Sequence, residues 1–304
     1  MSTLGLVVNP VAGDGRGGVV GERTHRLLAR AGHTVRDLSA PSLVQATDRA
    51  RAAVTEGLDA LVVVGGDGMV HLGVGLVAGT ALPLGIVAVG TGNDVARALG
   101  LPRGDADRAV AVLDGALRTG ARRVDAVRVT RGSDGEVRWY AGVLSCGVDA
   151  AVNARANTLR WPHGHARYVR ALVPELAAFR PYGYRVRVDG TLWESPGTVV
   201  AVANTAWFGG GLRVAPGATP DDGLLDVVVA GPLTRRDVVG LFPRLYRGSH
   251  VHDPRVQVLR GSRVTVEHAP DLGPAPPAAF ADGEHLGALP LEVEVVPGAL
   301  GVLG

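Results

Sequence analysis

The chain has 304 residues, 46% of them hydrophobic, enough for one large cored domain or two smaller ones. Lys and Arg total 31 against 29 Asp and Glu, a formal charge of +2 that makes no electrostatic case for nucleic acid, and aromatics at 4% leave few surfaces for stacking bases. Every one of the 31 basic residues is arginine, which excludes a Walker A lysine, a Schiff-base lysine and the strand lysine of protein kinases.

The first 125 residues alternate between strand and helix patterns. Leu4–Val8 reads as a strand, Gly18–Ala31 as a helix, Thr34–Leu38 as a strand and Ser42–Glu56 as a helix. Ala60–Val64 and Leu84–Val89 are continuous apolar runs, as expected of parallel strands covered on both faces, and helices are predicted from Met69, from Asp94 and over Asp105–Leu117. Such alternation predicts a parallel sheet with right-handed crossovers. Met69–Asn93 lacks formal charge, but Gly73, Gly75, Gly79, Pro83 and Gly85 divide it into helix, turn and strand, so no membrane span is expected.

From Arg122 onward the segments are short and β-rich, with hairpin signals at Asp134-Gly135 and Asp189-Gly190. Helical stretches at Ala150–Phe179 and Thr234–Tyr246 interrupt them. The expected architecture is an α/β domain over 1–124 and a mainly antiparallel β-sandwich domain over 125–304, with room for the last few residues to return to the first. Cys146 is the only cysteine, so no internal disulfide or cysteine-based zinc site can form; with no signal-peptide pattern at the N-terminus, a reducing cytoplasm is expected. His163, His165, His250 and His252 show no firm metal spacing.

Two of the predicted strands end in glycine-rich acidic turns, Gly65-Gly66-Asp67-Gly68 and Gly90-Thr91-Gly92-Asn93-Asp94. Ligands of parallel sheets bind outside the carboxyl ends of the strands, and glycine lets backbone N–H groups approach a phosphate without a Cβ in the way. A carboxylate beside a polyphosphate needs a cation between them, which makes Asp67 and Asp94 candidates for Mg²⁺ or for a ribose or loop contact. Gly13–Gly18 also fits G-x-G-x-x-G, with Asp37 near the spacing of a dinucleotide site, but a chain with 44 glycines produces that pattern easily.

These turns belong to a longer series: VVNPVAG at 7–13, GGDG at 65–68, PLGIVAVGTGNDVARALGLP at 83–102, GVDA at 147–150, VANTAWFGGGLRVAPGATPDDGLLDVVV at 202–229 and FADGEHLG at 280–287. In their order and spacing the chain resembles the bacterial diacylglycerol kinase-like lipid kinases, whose fold and GGDG loop are shared more distantly with NAD kinases and 6-phosphofructokinases. It departs at Met69, where the family usually has threonine. The resemblance implies that Asn9, Pro10, Gly65–Gly68 and Thr91, Gly92, Asn93 and Asp94 line an ATP site. It implies a structural Mg²⁺ on the Asp222 carboxylate and the backbone carbonyls of Thr219 and Leu224, oxygen donors that suit a hard cation. It also implies that the carboxylates of Asp282 and Glu284 reach the γ-phosphate; with Asp67 these are the candidate catalytic residues, and which of Asp282 and Glu284 serves as base stays open.

The expected activity is therefore an ATP- and Mg²⁺-dependent lipid kinase acting on a diacylglycerol-like acceptor to give phosphatidic acid, cytoplasmic and peripheral to the inner face of the membrane. Rivals are a sphingoid-base, ceramide or NAD kinase of the same superfamily, a dinucleotide-binding oxidoreductase, and a nucleotide-responsive binding protein without turnover. Transient membrane contact is expected through Arg155, Arg160, Arg167 and Arg170, interleaved with Trp161 and Tyr168. No nucleic-acid partner is expected, and a homodimer is left open.

Overall fold

The computed structural model describes residues 1–159, 161 and 165–304, and the chain divides into two compact units, Met1–Ala126 with Val296–Gly304, and Val127–Val295. Unit 1 runs through β1 (Thr3–Val8), α1 (Ala12–Gly15), α2 (Gly17–Arg30), β2 (Thr34–Asp37), α3 (Leu43–Glu56) and β3 (Ala60–Gly65). It continues with α4 (Asp67–Val77), β4 (Leu84–Ala88), α5 (Asp94–Ala98), α6 (Ala106–Thr119) and the first part of β5 (Arg122–Arg131).

All six residues of β3 and all five of β4 are buried. That follows from the alternation of faces along the two strands: Leu84 and Val63 lie against Gly73 of α4, whereas Gly85 and Val62 lie against Leu113 of α6. A small residue at each crossing lets helix and strand approach closely. Pairing is parallel throughout, β2 with β1, β1 with β3 and β3 with β4. The order β2-β1-β3-β4 means that the chain leaves β1 to one side and returns to its other side with β3. The carboxyl ends of β1 and β3 therefore flank the switch point where ligands of such sheets bind.

Unit 2 contains β6 (Val137–Tyr140), β7 (Val143–Gly147), α7 (Val148–Thr158), α8 (His165–Ala178), β8 (Tyr182–Val188), β9 (Thr191–Gly197) and β10 (Val199–Ala203). There follow β11 (Trp207–Phe208), β12 (Leu212–Arg213), β13 (Leu225–Ala230), α9 (Arg235–Arg247), β14 (Val256–Gly261), β15 (Arg263–His268), β16 (Ala279–Ala281), β17 (Glu284–Gly287) and β18 (Leu291–Leu303). One sheet has the order β14-β13-β10-β7-β16-β17, and a second is formed by β9, β8, β15 and the first half of β18. Their inner faces share one core, in which Leu144, Val200 and Val227 of the first sheet pack with Val186, Val264 and Val293 of the second. This is the antiparallel β-sandwich of the sequence pattern. The β8–β9 hairpin turns on Asp189 and Gly190, both at positive φ, the geometry that Asp-Gly favours in a two-residue turn.

The helical stretch after β7 resolves into α7 and α8, and Arg160 and His163, with the side chains of His165 and Arg167, lie outside the described residues. The last strand extends well past the alternating LPLEVEVV segment: residues 296–304 belong to unit 1, where Val302 and Leu303 pair in parallel with Leu84 and Gly85. Among the described residues no helix is long and apolar enough to cross a membrane.

Candidate functional site

In unit 1 the turns after β1, β3 and β4 converge, and glycine makes the convergence possible. A Cβ on Gly90 would lie 2.3 Å from the Cα of Gly66, so the two turns touch backbone to backbone. A Cβ on Gly13 would lie 2.3 Å from the carbonyl oxygen of Val89, which ties the turn after β1 to the same point. Asn9 joins them through its N–H, which donates to the Val64 carbonyl at 3.0 Å, and its Oδ1 accepts from Val11 N at 3.2 Å. Asn93 sits at φ 55 and clamps Gly90 from both sides, accepting from Gly90 N at 2.9 Å and donating from Nδ2 to Gly90 O at 2.7 Å.

Asp67 opens α4, and its carboxylate reaches across to the next turn. Oδ1 accepts from Asp94 N at 2.7 Å and from Val95 N at 3.4 Å, capping α5 from outside the helix. Asp94 is itself buried, with Arg97 Nε 3.8 Å from its Oδ1. Asn9, Pro10, Gly65–Gly68 and Thr91–Asp94, separated widely in sequence, thus form one surface at the switch point. Met69 does not face it: its side chain is buried and packs over Gly65, where a Cβ would meet Met69 Cγ at 2.4 Å. Beside the turn after β1 lies an open cleft of about 630 Å³, lined by Val8, Pro10, Gly21, Asp37 and Ser39 among others.

The G-x-G-x-x-G pattern forms no dinucleotide turn. Gly13 comes five residues after the end of β1 and lies inside the short helix α1, whereas a dinucleotide fingerprint needs its first glycine at the tight turn after the strand. The Asp37 carboxylate accepts from Ser39 N at 2.9 Å. Residue spacing alone could not reveal the inserted helical turn.

In unit 2, Asp282 and Glu284 flank the turn between β16 and β17, and their environments are opposite. Asp282, at φ 51, directs its carboxylate into the backbone of the β6–β7 connection: Oδ1 accepts from Gly142 N and Val143 N at 3.0 Å each, and Oδ2 from Ala141 N at 3.1 Å. Asn204, just after β10, holds the same connection, its Nδ2 donating to Ala141 O at 2.8 Å. Asn153 of α7 donates to the carbonyl of Gly283 at 3.2 Å. Glu284 is exposed and accepts no hydrogen bond among the described residues. Of the two, Glu284 has the lone pairs available to take a proton; Asp282 shapes the turn that presents it.

The Thr219–Leu224 loop closes on Asp222. Oδ2 accepts from Thr219 Oγ1 at 2.7 Å and from the Arg260 guanidinium, and Oδ1 accepts from Leu224 N at 3.0 Å. Burial would raise the Asp222 pKa, but these donors outweigh it and hold the carboxyl below its ordinary value. Arg260 also donates from Nε to Asp226 at 2.6 Å, whose pKa burial pushes up. Three of roughly four lone-pair directions on Asp222 are occupied, so one remains on Oδ1. A hard cation there would share the carboxylate with Arg260, and no three His, Cys, Asp or Glu side chains converge among the described residues.

Asp149, in GVDA, carries no role that sequence alone suggested. It lies in the first turn of α7; its Oδ1 is buried and accepts no hydrogen bond among the described residues, and burial, against a hydrogen bond from Ser145, raises its pKa. Asp125 is buried on β5 and accepts from Gly298 N at 2.8 Å, fastening the returning strand. Two arginines of the interlude are engaged locally: Arg155 pairs with Glu175, while Arg170 donates to Trp161 O and stacks 5.9 Å from its ring centroid. His250 is buried with Nε2 2.9 Å from Val214 O, a structural position.

Comparison with known proteins agrees with this architecture over the whole chain. Residues 3–129 match the diacylglycerol kinase catalytic domain, and residues 142–304 match the YegS C-terminal NAD kinase beta sandwich-like domain. A diacylglycerol kinase of Mycobacterium tuberculosis (strain CDC 1551 / Oshkosh) is 37% identical over 302 residues, covering 98% of this chain and 93% of that protein. A diacylglycerol kinase of Bacillus subtilis (strain 168) is 27% identical over 250 residues, covering 81% and 78%. The crystal structure of a diacylglycerol kinase from Bacillus anthracis str. Sterne superposes with a TM-score of 0.70 at 19% identity, covering 99% of this chain and 96% of that one. The chain belongs to the diacylglycerol kinase family of lipid kinases, with a catalytic α/β domain followed by a YegS-type β-sandwich domain.

Proposed function

We propose that the chain is an ATP- and Mg²⁺-dependent kinase that phosphorylates the hydroxyl of diacylglycerol, or of a lipid like it, to give phosphatidic acid. The observation that carries this reading is the convergence of three glycine turns at the switch point of unit 1, spliced by Asp67, in a chain of this family. Backbone amides at the start of α4 and in the turn after β1 suit phosphate oxygens, and the cleft beside β1 has the size of a nucleoside pocket. Asp67 and Asp94 are the residues that would hold the Mg²⁺ accompanying ATP, whose chemistry there is charge neutralisation.

Glu284 acts as the proton acceptor. The acceptor hydroxyl oxygen bonds to the γ-phosphorus, the bond from that phosphorus to the bridging oxygen breaks, ADP leaves, and the hydroxyl proton passes to Glu284. Asp282 keeps the turn in place and takes no proton. A structural Mg²⁺ at Asp222 with the carbonyls of Thr219 and Leu224 belongs to the same proposal, with Arg260 sharing the carboxylate. The acceptor resides in a bilayer, so the enzyme works from the cytoplasm, docked transiently on the inner membrane face.

The deciding experiment is incubation of the purified chain with labelled ATP, Mg²⁺ and separate acceptors: diacylglycerol, sphingosine, ceramide and NAD. Label in phosphatidic acid is the expected result. Label in another acceptor instead, or none, overturns the assignment.

A further inference from the structure

The helix α9 presents a face that nothing in unit 2 covers. Its inner side is anchored: Leu241 is buried, Val238 packs against the same cluster, and Thr234 and Asp237 form a capping box. Its outer side exposes Val239 at 57%, Phe242 at 37% and Tyr246 at 51%. At about 100° per residue these three fall within an arc of about 60°, one apolar stripe along the helix. Phe242 and Tyr246 meet edge to face with ring centroids 6.0 Å apart.

The exposed charged residues of α9 are all arginine, Arg235 at the N-terminal end of the stripe and Arg236 and Arg247 along one side of it. Arg235, Arg236 and Arg247 are all exposed, and none pairs with an acid among the described residues. The helix has a single acid, Asp237, which is spent on Thr234 and Arg255 and held down to about 2 by those donors. An aromatic and aliphatic stripe edged by unpaired arginines, with no exposed carboxylate, is complementary to a surface that is apolar below and anionic above. Arg155 and Arg170, by contrast, are already engaged within α7 and α8.

We propose that the outer face of α9 docks on anionic membrane, with Phe242, Tyr246 and Val239 at the boundary between headgroups and acyl chains and Arg235, Arg236 and Arg247 on the headgroups. The inference rests on the lipid-acceptor reading, since an enzyme with a soluble acceptor has no use for such a face. Its charge part is salt-sensitive, because the surface field is screened within a Debye length of about 10 Å at 0.1 M salt.

The test is co-flotation of the full chain with vesicles of phosphatidylcholine alone or with about a third phosphatidylglycerol. Wild type is expected to float with the anionic vesicles, less so as salt rises. The combined variant Arg235→Gln, Arg236→Gln, Arg247→Gln should bind them about a hundredfold more weakly, roughly fivefold per arginine. Phe242→Ser with Tyr246→Ser should weaken binding while keeping its dependence on salt. Thermal melting confirms that each variant folds, and Arg155→Gln with Arg170→Gln is the comparison that should lose less. Flotation of both α9 variants at wild-type level overturns the proposal, as does a wild type that ignores anionic vesicles. So does sedimentation showing that wild type self-associates and the α9 variants do not, which would assign the face to a second copy. Kinase assays on a short-chain diacylglycerol in detergent micelles are run in parallel. Vesicle binding through α9 without turnover there would overturn the acceptor reading alone, and turnover with no role for α9 in binding would overturn the docking proposal alone.

Discussion

Asp67 Oδ1 accepts the backbone N–H of Asp94 at 2.7 Å, so the acid of the first glycine turn is the cap of the helix that follows the second. The bond joins positions 27 residues apart and sets the spacing of two loops assigned to one ligand.

Two roles of Asp67 are therefore separable. Asp67→Ala removes the cap and should cost about 1 kcal/mol, lowering Tm by about 2 to 4 °C. Asp67→Asn keeps an oxygen that can accept from Asp94 N and should restore most of that Tm, yet phosphoryl transfer should fall by at least about a hundredfold because the charge is gone. Full activity in the asparagine variant would reduce Asp67 to a cap.

Glu284→Gln and Asp282→Asn should fail differently. The first should melt like wild type, bind ATP normally and lose about 10² to 10⁴-fold in kcat, the typical contribution of a general base. The second turns an amide N–H toward backbone donors at Ala141 or Gly142, so it should lose thermal stability, by roughly 1 to 3 kcal/mol for the unmet donors. A Glu284→Gln enzyme within tenfold of wild type would remove that residue from the mechanism.

Asp149 predicts a pH effect with a definite sign. Burial raises its folded pKa above the unfolded value near 3.8, so the native state binds the proton more tightly and stability falls as pH rises between the two values. Denaturant melts from pH 3.5 to 7 should show a smaller decline for Asp149→Asn than for wild type, with the gap between the curves opening above about pH 4. Parallel curves would place Asp149 in contact with water.

Arg260 holds the Asp222 carboxylate that the proposed loop cation would share, and the two contributions can be measured. Arg260→Gln should lower Tm by several degrees and enlarge the protection given by millimolar Mg²⁺ over EDTA, since ligand that binds only the folded state stabilises it. Wild type should gain less, because the guanidinium already offsets part of the charge. Melting curves indifferent to Mg²⁺ in both proteins would leave the loop to Arg260 alone.

The parallel half was legible because strands covered on both faces leave long apolar runs, and Ala60–Gly65 and Leu84–Ala88 are such runs. The return of the last few residues to the first domain was legible only as an allowance: Pro297 and Gly298 interrupt the pattern of the strand, and its pairing with β4 shows that Val302 and Leu303 continue it. At the site, glycine turns announce themselves by composition. The division of labour between Asp282 and Glu284 does not, because one backbone angle, φ 51 at Asp282, decides which carboxylate turns inward. Asn204 escaped for a related reason: its partner, Ala141, lies in a connection with no motif of its own.

The strand that closes unit 1 is synthesised long after the strand it pairs with. The edge of β4 awaits Val302 and Leu303, so its backbone groups stay unpaired while more than half of the chain is still being made. At about 5 to 20 residues per second that interval lasts on the order of ten seconds or more. During translation unit 1 is thus an unfinished sheet with an open edge. A gene fragment meant to yield that unit alone needs residues 296–304 spliced onto residue 126.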